Sequence, residues 1–172
     1  MKNTLLKPIT GTALALLILI GGGHVSAFGQ EEEKSEQVEE SRARQHSLVG
    51  VWAAQVTLRN CTTGAPVGGF RNQLTFARGG TLLETIAPTI FRSDGNGLWK
   101  REHGRNEFSF AHRFMRFDSA GAFVGSGVVR VLVTLDETGD SYSATATNDV
   151  IDVNGNIIAS GCATAVATRF QP

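Results

Sequence analysis

Apolar and polar residues alternate with a period of two through most of the chain beyond residue 50. In the first such run Trp52, Ala54, Val56 and Leu58 fall on one face and the residues between them on the other. Successive side chains of a β-strand point to opposite faces, so this alternation predicts a strand with one buried face. No helical period persists for three turns, and the pattern therefore predicts an all-β domain.

Eight runs of this kind follow one another, separated by short clusters of turn-forming residues. The turns include Arg78-Gly79-Gly80 and the hairpin signal Asn154-Gly155-Asn156. We interpret Gly125-Ser126-Gly127 as a bulge or a strand kink. Eight strands joined by short turns are typical of an antiparallel meander. The predicted strands are 50–60, 70–76, 81–86, 98–101, 107–118, 128–135, 141–152 and 157–170.

A meander of eight strands can stay open, fold into a sandwich or close into a barrel. In an up-and-down barrel the first and last strands pair antiparallel, so the start of one lies beside the end of the other. Closure would place Trp52 beside Arg169 and Cys61 beside Cys162. Paired positions in an antiparallel ladder have a constant sum of residue numbers, and these two pairs agree within two residues. We therefore favour an eight-stranded antiparallel up-and-down β-barrel with its first and last strands paired.

The N-terminal residues predict export and a tether. Residues 1–27 have a basic start, an apolar core from Ile9 to Ile20 and small residues before a cleavage point after Ala27, which is typical of a signal peptide. The alternative is a retained anchor, but the core is short for a span of ~20 residues. Residues 28–46 are charged and nearly without apolar side chains, which predicts a disordered tether. Residues 47–172 form the barrel domain.

The predicted compartment affects both the cysteines and the partners. A secreted or periplasmic protein folds under oxidising conditions, so we expect Cys61 and Cys162 to form a disulfide. From Ser47 onward the chain has eleven Lys and Arg and ten Asp and Glu. This nearly neutral net charge is not typical of a nucleic-acid-binding domain. We expect no nucleic-acid partner, and no stable membrane insertion after signal cleavage.

Gly50-Val51-Trp52 at the start of the first strand resembles the Gly-x-Trp signature of the lipocalins and the wider calycin group. In that family an arginine near the end of the last strand packs across the tryptophan, and Arg169 holds the matching place. The resemblance implies structural roles for Trp52 and Arg169, with the indole closing one end of the barrel and a half-exposed guanidinium stacked on it. The chain is shorter than ordinary lipocalins and lacks their long helix near the C-terminus.

Stretches such as 59–61, 79–81 and 161–164 are also similar to small secreted bacterial proteins of unassigned activity. Together the resemblances imply a non-enzymatic barrel outside the cytoplasm that binds a small apolar or amphipathic molecule. The alternative is a filled barrel that serves as a structural or interaction module of the envelope, since Ala144, Ala146, Ala163, Ala165 and Ala167 make room for opposing phenylalanines. If a pocket exists, the phases of the strands predict its lining: Phe70, Phe76, Phe108, Phe110, Phe114, Val129, Val131 and Tyr142, with His112 as the polar group.

Candidate chemistry is sparse. There is no Gly-x-Ser-x-Gly motif, and we predict no catalytic residues, no metal site and no cofactor. The cluster Glu102, His103, Glu107 and His112 lacks the spacing of a zinc site. No second feature of the sequence supports His112 as a haem ligand. We interpret His103 as a solvated loop residue and His112 as a hydrogen-bonded core residue.

Three further polar residues fall in phase with inward faces: Glu84, Arg116 and Asn148. For Arg116 we favour exposure at the end of its strand, and for Glu84 we favour the opposite phase, on the exposed face. If two or more of the three point inward, they need each other or a polar ligand, because an unpaired buried polar group is costly. An isomerase or cyclase working inside such a barrel would have to use Glu84 and His112 as its acid and base.

Overall fold

The computed structural model describes residues 46–86 and 91–171, and in these the strands form one closed antiparallel barrel in sequence order. The predicted fold is confirmed. The predicted signal peptide, and all of the predicted tether except His46, lie outside the described residues. In the described part no helix is long and apolar enough to cross a membrane. The strands are β1 (Gly50–Arg59), β2 (Pro66–Phe76), β3 (Thr81–Ile86), β4 (Gly95–Arg101), β5 (Glu107–Phe117), β6 (Phe123–Leu135), β7 (Ser141–Ile151) and β8 (Ile157–Arg169).

Three strands begin earlier than the sequence predicts: β2 at Pro66, β4 at Gly95 and β6 at Phe123. Each added segment contains two glycines: Gly68 and Gly69, Gly95 and Gly97, and Gly125 and Gly127. Glycine is depleted in strands because it offers no side chain to pack, so these segments carry a loop signal although each pairs with a neighbouring strand. A bulge shifts the register of β5 and β6 beside Gly125, which has a φ of 126°.

Pairing of β1 with β8 closes the barrel. Trp52 is opposite Arg169, and the same register runs without a shift to Arg59 opposite Cys162. Cys61 lies two positions beyond the end of β1, which explains why the two predicted pairs disagreed by two residues. The predicted disulfide between Cys61 and Cys162 is present, with the two Cα atoms 5.3 Å apart.

The end of the barrel that holds Trp52, here called the closed end, is sealed by side chains. Trp52 is fully buried, and its Nε1 donates a hydrogen bond to the carbonyl of Leu48 at 2.8 Å. The Arg169 guanidinium lies 4.2 Å from the indole centroid, and the Tyr142 ring packs on the indole with its centroid at 4.9 Å. Phe76 and Phe108 belong to the same buried cluster.

The expected half exposure of Arg169 is wrong, because its side chain is only 5% exposed. The guanidinium donates hydrogen bonds to the carbonyls of Ser47 at 2.7 Å and Val49 at 2.6 Å, and two more to the carbonyl of Gly139. It therefore ties the segment before β1 and the turn after β6 to the end of β8.

Candidate functional site

A cavity of about 170 Å³ lies inside the barrel, in the half away from Trp52. Its wall includes residues from the middle of the strands and from their ends near the disulfide. Two of the predicted lining residues, Phe76 and Phe108, lie instead in the closed-end core, because the phase of a strand gives the face but not the depth of a side chain in the barrel. The other seven predicted residues are part of the wall: Phe70, Phe110, His112, Phe114, Val129, Val131 and Tyr142.

Small side chains on the last two strands leave this space open. Ala144 and Ala146 of β7 and Ala163 and Ala165 of β8 all line the cavity. The sequence suggested that such residues make room for opposing phenylalanines and so favour a filled interior. The interior nevertheless keeps a cavity of about 170 Å³ beside these alanines, so it is not completely filled.

Glu84 points into the barrel and is 2% exposed, so the exposure favoured from sequence is wrong. Its neighbours in phase on β3 are apolar, but its carboxylate has three partners. Arg92 donates a charged hydrogen bond to Oε2, and Asn72 Nδ2 donates one to Oε1 at 2.8 Å. His112 Nε2 lies 3.1 Å from Oε2. Below, Glu84, Arg92, Asn72 and His112 are called the polar cluster.

The polar cluster determines the charge state of Glu84. Burial alone raises the pKa of a carboxyl group, because it disfavours the charged form. Here the contact with His112, the charge of Arg92 and the hydrogen bond from Asn72 together outweigh burial and lower the pKa of Glu84 to about 2. Glu84 is therefore an anion at neutral pH.

Glycines in β4 make room for the polar cluster. Gly95 pairs with Glu84 across the β3–β4 ladder. A Cβ atom at Gly95 would stand 2.8 Å from Glu84 Oε2 and 2.8 Å from His112 Cδ2, and one at Gly97 would stand 2.7 Å from His112 Cβ. The segment interpreted as loop from its composition therefore has a packing role.

Arg92 reaches the polar cluster from the connection between β3 and β4. An isolated bridge to Arg116 of β5 holds its backbone at the barrel wall, and its guanidinium lies 3.5 Å from the Phe114 ring centroid. The sequence analysis missed Arg92, because a connecting segment has no periodicity that indicates where a side chain points. It also missed Asn72, although Asn72 is in phase with Phe70 and Leu74 on β2.

Several buried polar atoms of the cavity wall have no hydrogen-bond partner among the described residues. They are His112 Nδ1, Asn72 Oδ1 and Asn148 Oδ1. His112 Nε2 is close to the Glu84 carboxylate, but the contact does not have the geometry of an aligned hydrogen bond. The inward phase predicted for Asn148 and His112 agrees with this placement.

The remaining polar candidates lie away from the cavity. Arg116 is half-buried at the end of β5, and His103 is exposed. In residues 46–86 and 91–171, no three His, Cys, Asp or Glu side chains group closely enough to hold a metal ion. Comparisons of the chain with protein-family models, with curated proteins and with solved structures found no match.

Proposed function

We propose that the protein binds a small apolar or amphipathic molecule in the barrel cavity and does so outside the cytoplasm. The observation that carries this proposal is a cavity with an aromatic and aliphatic wall and one concentrated polar region. Ligand sites of small molecules have this composition, with many apolar contacts for affinity and a few polar groups for orientation. The disulfide between Cys61 and Cys162 supports the compartment.

The size of the cavity supports a compact ligand. An engineered apolar cavity of roughly 150 Å³ in another protein holds one benzene molecule, and the barrel cavity has about 170 Å³. A single aromatic ring with one or two substituents fits this space, whereas an extended long-chain lipid does not. Exposed apolar side chains at the same end of the barrel as the disulfide, among them Phe91, Phe123 and Ile157, suit the approach of such a molecule.

Ligand-observed NMR and calorimetry with toluene and p-cresol test the proposal. We expect saturable binding of at least one of them by the purified protein. Ala146→Phe fills the cavity and should abolish binding, while Thr145→Phe, which adds the same ring on the exposed outer face of β7, should leave binding intact. Absence of saturable binding, or equal binding by the Ala146→Phe variant, would overturn the proposal.

A second candidate function is an acid–base enzyme of the isomerase or cyclase type, favoured by the 3.1 Å distance between Glu84 and His112 inside a cavity. In this arrangement Glu84 is ionised and orients the imidazole, and Nδ1 is the atom available as a base. Exchange of the α-protons of cyclohexanone in deuterated buffer is a suitable test. Catalysed exchange that disappears in His112→Phe would support the enzyme, and exchange at the buffer rate would count against it.

A further inference from the structure

We infer that the ligand of the barrel cavity is an uncharged molecule about the size of one aromatic ring that carries a hydroxyl or N–H donor, and not a carboxylate. This inference rests on the proposed function and deepens it. It follows from the ion pair between Arg92 and Glu84, from the unpartnered atoms of the wall and from the size of the cavity.

The permanent positive charge of the wall is already paired. Among the described residues of the wall, Arg92 is the one that is always cationic, and its guanidinium is paired with the Glu84 carboxylate. A ligand carboxylate would have to lie beside Glu84 in a low-dielectric interior without a free arginine to receive it. Buried like charges repel strongly there. The cavity is therefore unsuited to fatty acids and other carboxylates.

Two of the unpartnered atoms of the wall are amide oxygens, which accept hydrogen bonds. Asn72 donates through Nδ2 to a carboxylate, which only accepts, and this fixes Oδ1 as the outward acceptor. Asn148 contributes a second acceptor, Oδ1. His112 Nδ1 is a third polar atom of the wall without a partner.

Two acceptors without donors are expensive in a buried place, because each unmade hydrogen bond costs ~1–3 kcal/mol. A ligand hydroxyl or N–H removes part of that cost on binding, whereas a purely apolar ligand leaves all of it. The geometry thus discriminates between two molecules of the same shape that differ only in a donor. Sites of this kind reject the analogue that lacks the hydrogen-bonding group.

Three ligands of nearly one shape test the inference by calorimetry: p-cresol, toluene and p-toluate. One hydrogen bond to a buried acceptor corresponds to about a tenfold change in affinity. We expect p-cresol to bind about tenfold or more tightly than toluene, and p-toluate to bind more weakly than both. Toluene binding as tightly as p-cresol, or p-toluate binding best, would overturn this inference and leave the proposed function standing. Failure of all three to bind would overturn the proposed function and the inference together.

Variants of the acceptors make the test specific to the named atoms. Asn148→Leu removes an acceptor oxygen, His112→Phe removes the unpartnered Nδ1, and both keep a similar side-chain volume. The preference for p-cresol over toluene should fall several-fold in at least one of them, while toluene still binds. Thermal unfolding shows whether each variant is folded, and Asn148→Leu does not touch the Glu84 ion pair, so it serves if His112→Phe fails to fold. A full preference in both folded variants would contradict the assignment of these acceptors.

Discussion

Glu84 and Arg92 determine the character of the barrel interior. An ionised carboxylate at 2% exposure is tolerated only where its charge is paired and its oxygens accept hydrogen bonds. Arg92, Asn72 and His112 meet that requirement together. One arginine from a connecting segment therefore allows one acid to lie inside an apolar wall.

Replacing Glu84 should change how stability depends on pH. The pKa of Glu84 falls from an ordinary 4.5 to about 2 in the folded protein. Its stabilisation is therefore fully present above about pH 4.5 and is lost as the pH falls from there toward 2, with a total on the order of 3 kcal/mol. Urea unfolding from pH 7 to pH 2 should show this loss in the wild type, and a smaller loss in Glu84→Gln.

The comparison with Glu84→Gln is needed because Asp136 titrates in the same range. Burial disfavours its charged form, but hydrogen bonds from Thr138, Ser141 and Gly139 outweigh this and lower the pKa of Asp136 to about 2. Asp136 is present in both proteins, so its contribution cancels when the pH dependence of stability of Glu84→Gln is subtracted from that of the wild type. Parallel pH profiles for the two proteins would show that Glu84 is not the titrating group.

Loss of the Arg169 side chain should be as damaging as loss of the indole it covers. Trp52→Ala leaves a large cavity and should lower the free energy of unfolding by ~3–5 kcal/mol. Arg169→Ala leaves the carbonyls of Ser47, Val49 and Gly139 without their donor, and we expect a loss of about 3 kcal/mol or more. Arg169→Lys retains the charge but not the planar donor geometry, and should recover little of the free energy of unfolding that Arg169→Ala loses. A loss below about 1 kcal/mol for Arg169→Ala would contradict this role.

At the scale of elements, β4 shows that the side chains of neighbouring strands can leave room only for glycine at a position. Gly95 and Gly97 weaken the strand locally, since they contribute no packing of their own. Gly95 faces the Glu84 carboxylate and the His112 ring, and Gly97 faces the Ala111 carbonyl and His112 Cβ, at distances that exclude a side chain. β4 therefore has a low intrinsic propensity to form a strand, and its glycines leave room for the side chains of the polar cluster on β3 and β5.

Gly95→Ala should therefore disturb the polar cluster. The added methyl group would lie 2.8 Å from both Glu84 Oε2 and His112 Cδ2, and we expect a destabilisation of ~1–3 kcal/mol from overpacking. Asn96→Ala alters the exposed outer face of the same strand and should change stability by less than about 0.5 kcal/mol. Chemical denaturation gives both values, and NMR shifts of the His112 ring report the cluster directly. An undisturbed His112 ring in Gly95→Ala would refute the packing argument.

At the scale of the whole molecule, closure depends on one ladder and one covalent bond. β1 is paired on both sides, with β2 and with β8, so the barrel has no free edge there. The disulfide joins the far ends of those two strands across 101 residues of sequence. The disulfide lies at the opposite end of the β1–β8 pair from Arg169. Arg169 therefore stabilises one end of this pair and the disulfide stabilises the other.

Removing the disulfide should destabilise the whole barrel rather than one strand. On the chain-entropy account, a loop of this length corresponds to ~4–5 kcal/mol, mostly through the unfolded state. Cys61→Ser with Cys162→Ser should lower the midpoint of a single cooperative urea transition by a matching amount. Thiol titration of the unfolded, non-reduced wild type should find no free thiol, and two free thiols would refute the bond in the isolated protein.

The sequence by itself determined the fold and most of the side-chain faces. A period of two is a local property of the chain, so it predicts strands and their buried faces without knowledge of the neighbours. The positions of Trp52, Cys61, Cys162 and Arg169 added long-range information, because antiparallel pairing has a constant register. The residue numbers therefore favoured closure over an open sheet or a sandwich.

Only the tertiary structure decided what the interior contains. The depth of Phe76 and Phe108 in the barrel, the burial of Arg169 and the inward turn of Arg92 depend on contacts between segments far apart in sequence. The same is true of Glu84, whose burial looks unfavourable until its three partners are known. A local pattern cannot indicate such partners, because the free energy of a buried charge depends on every group around it.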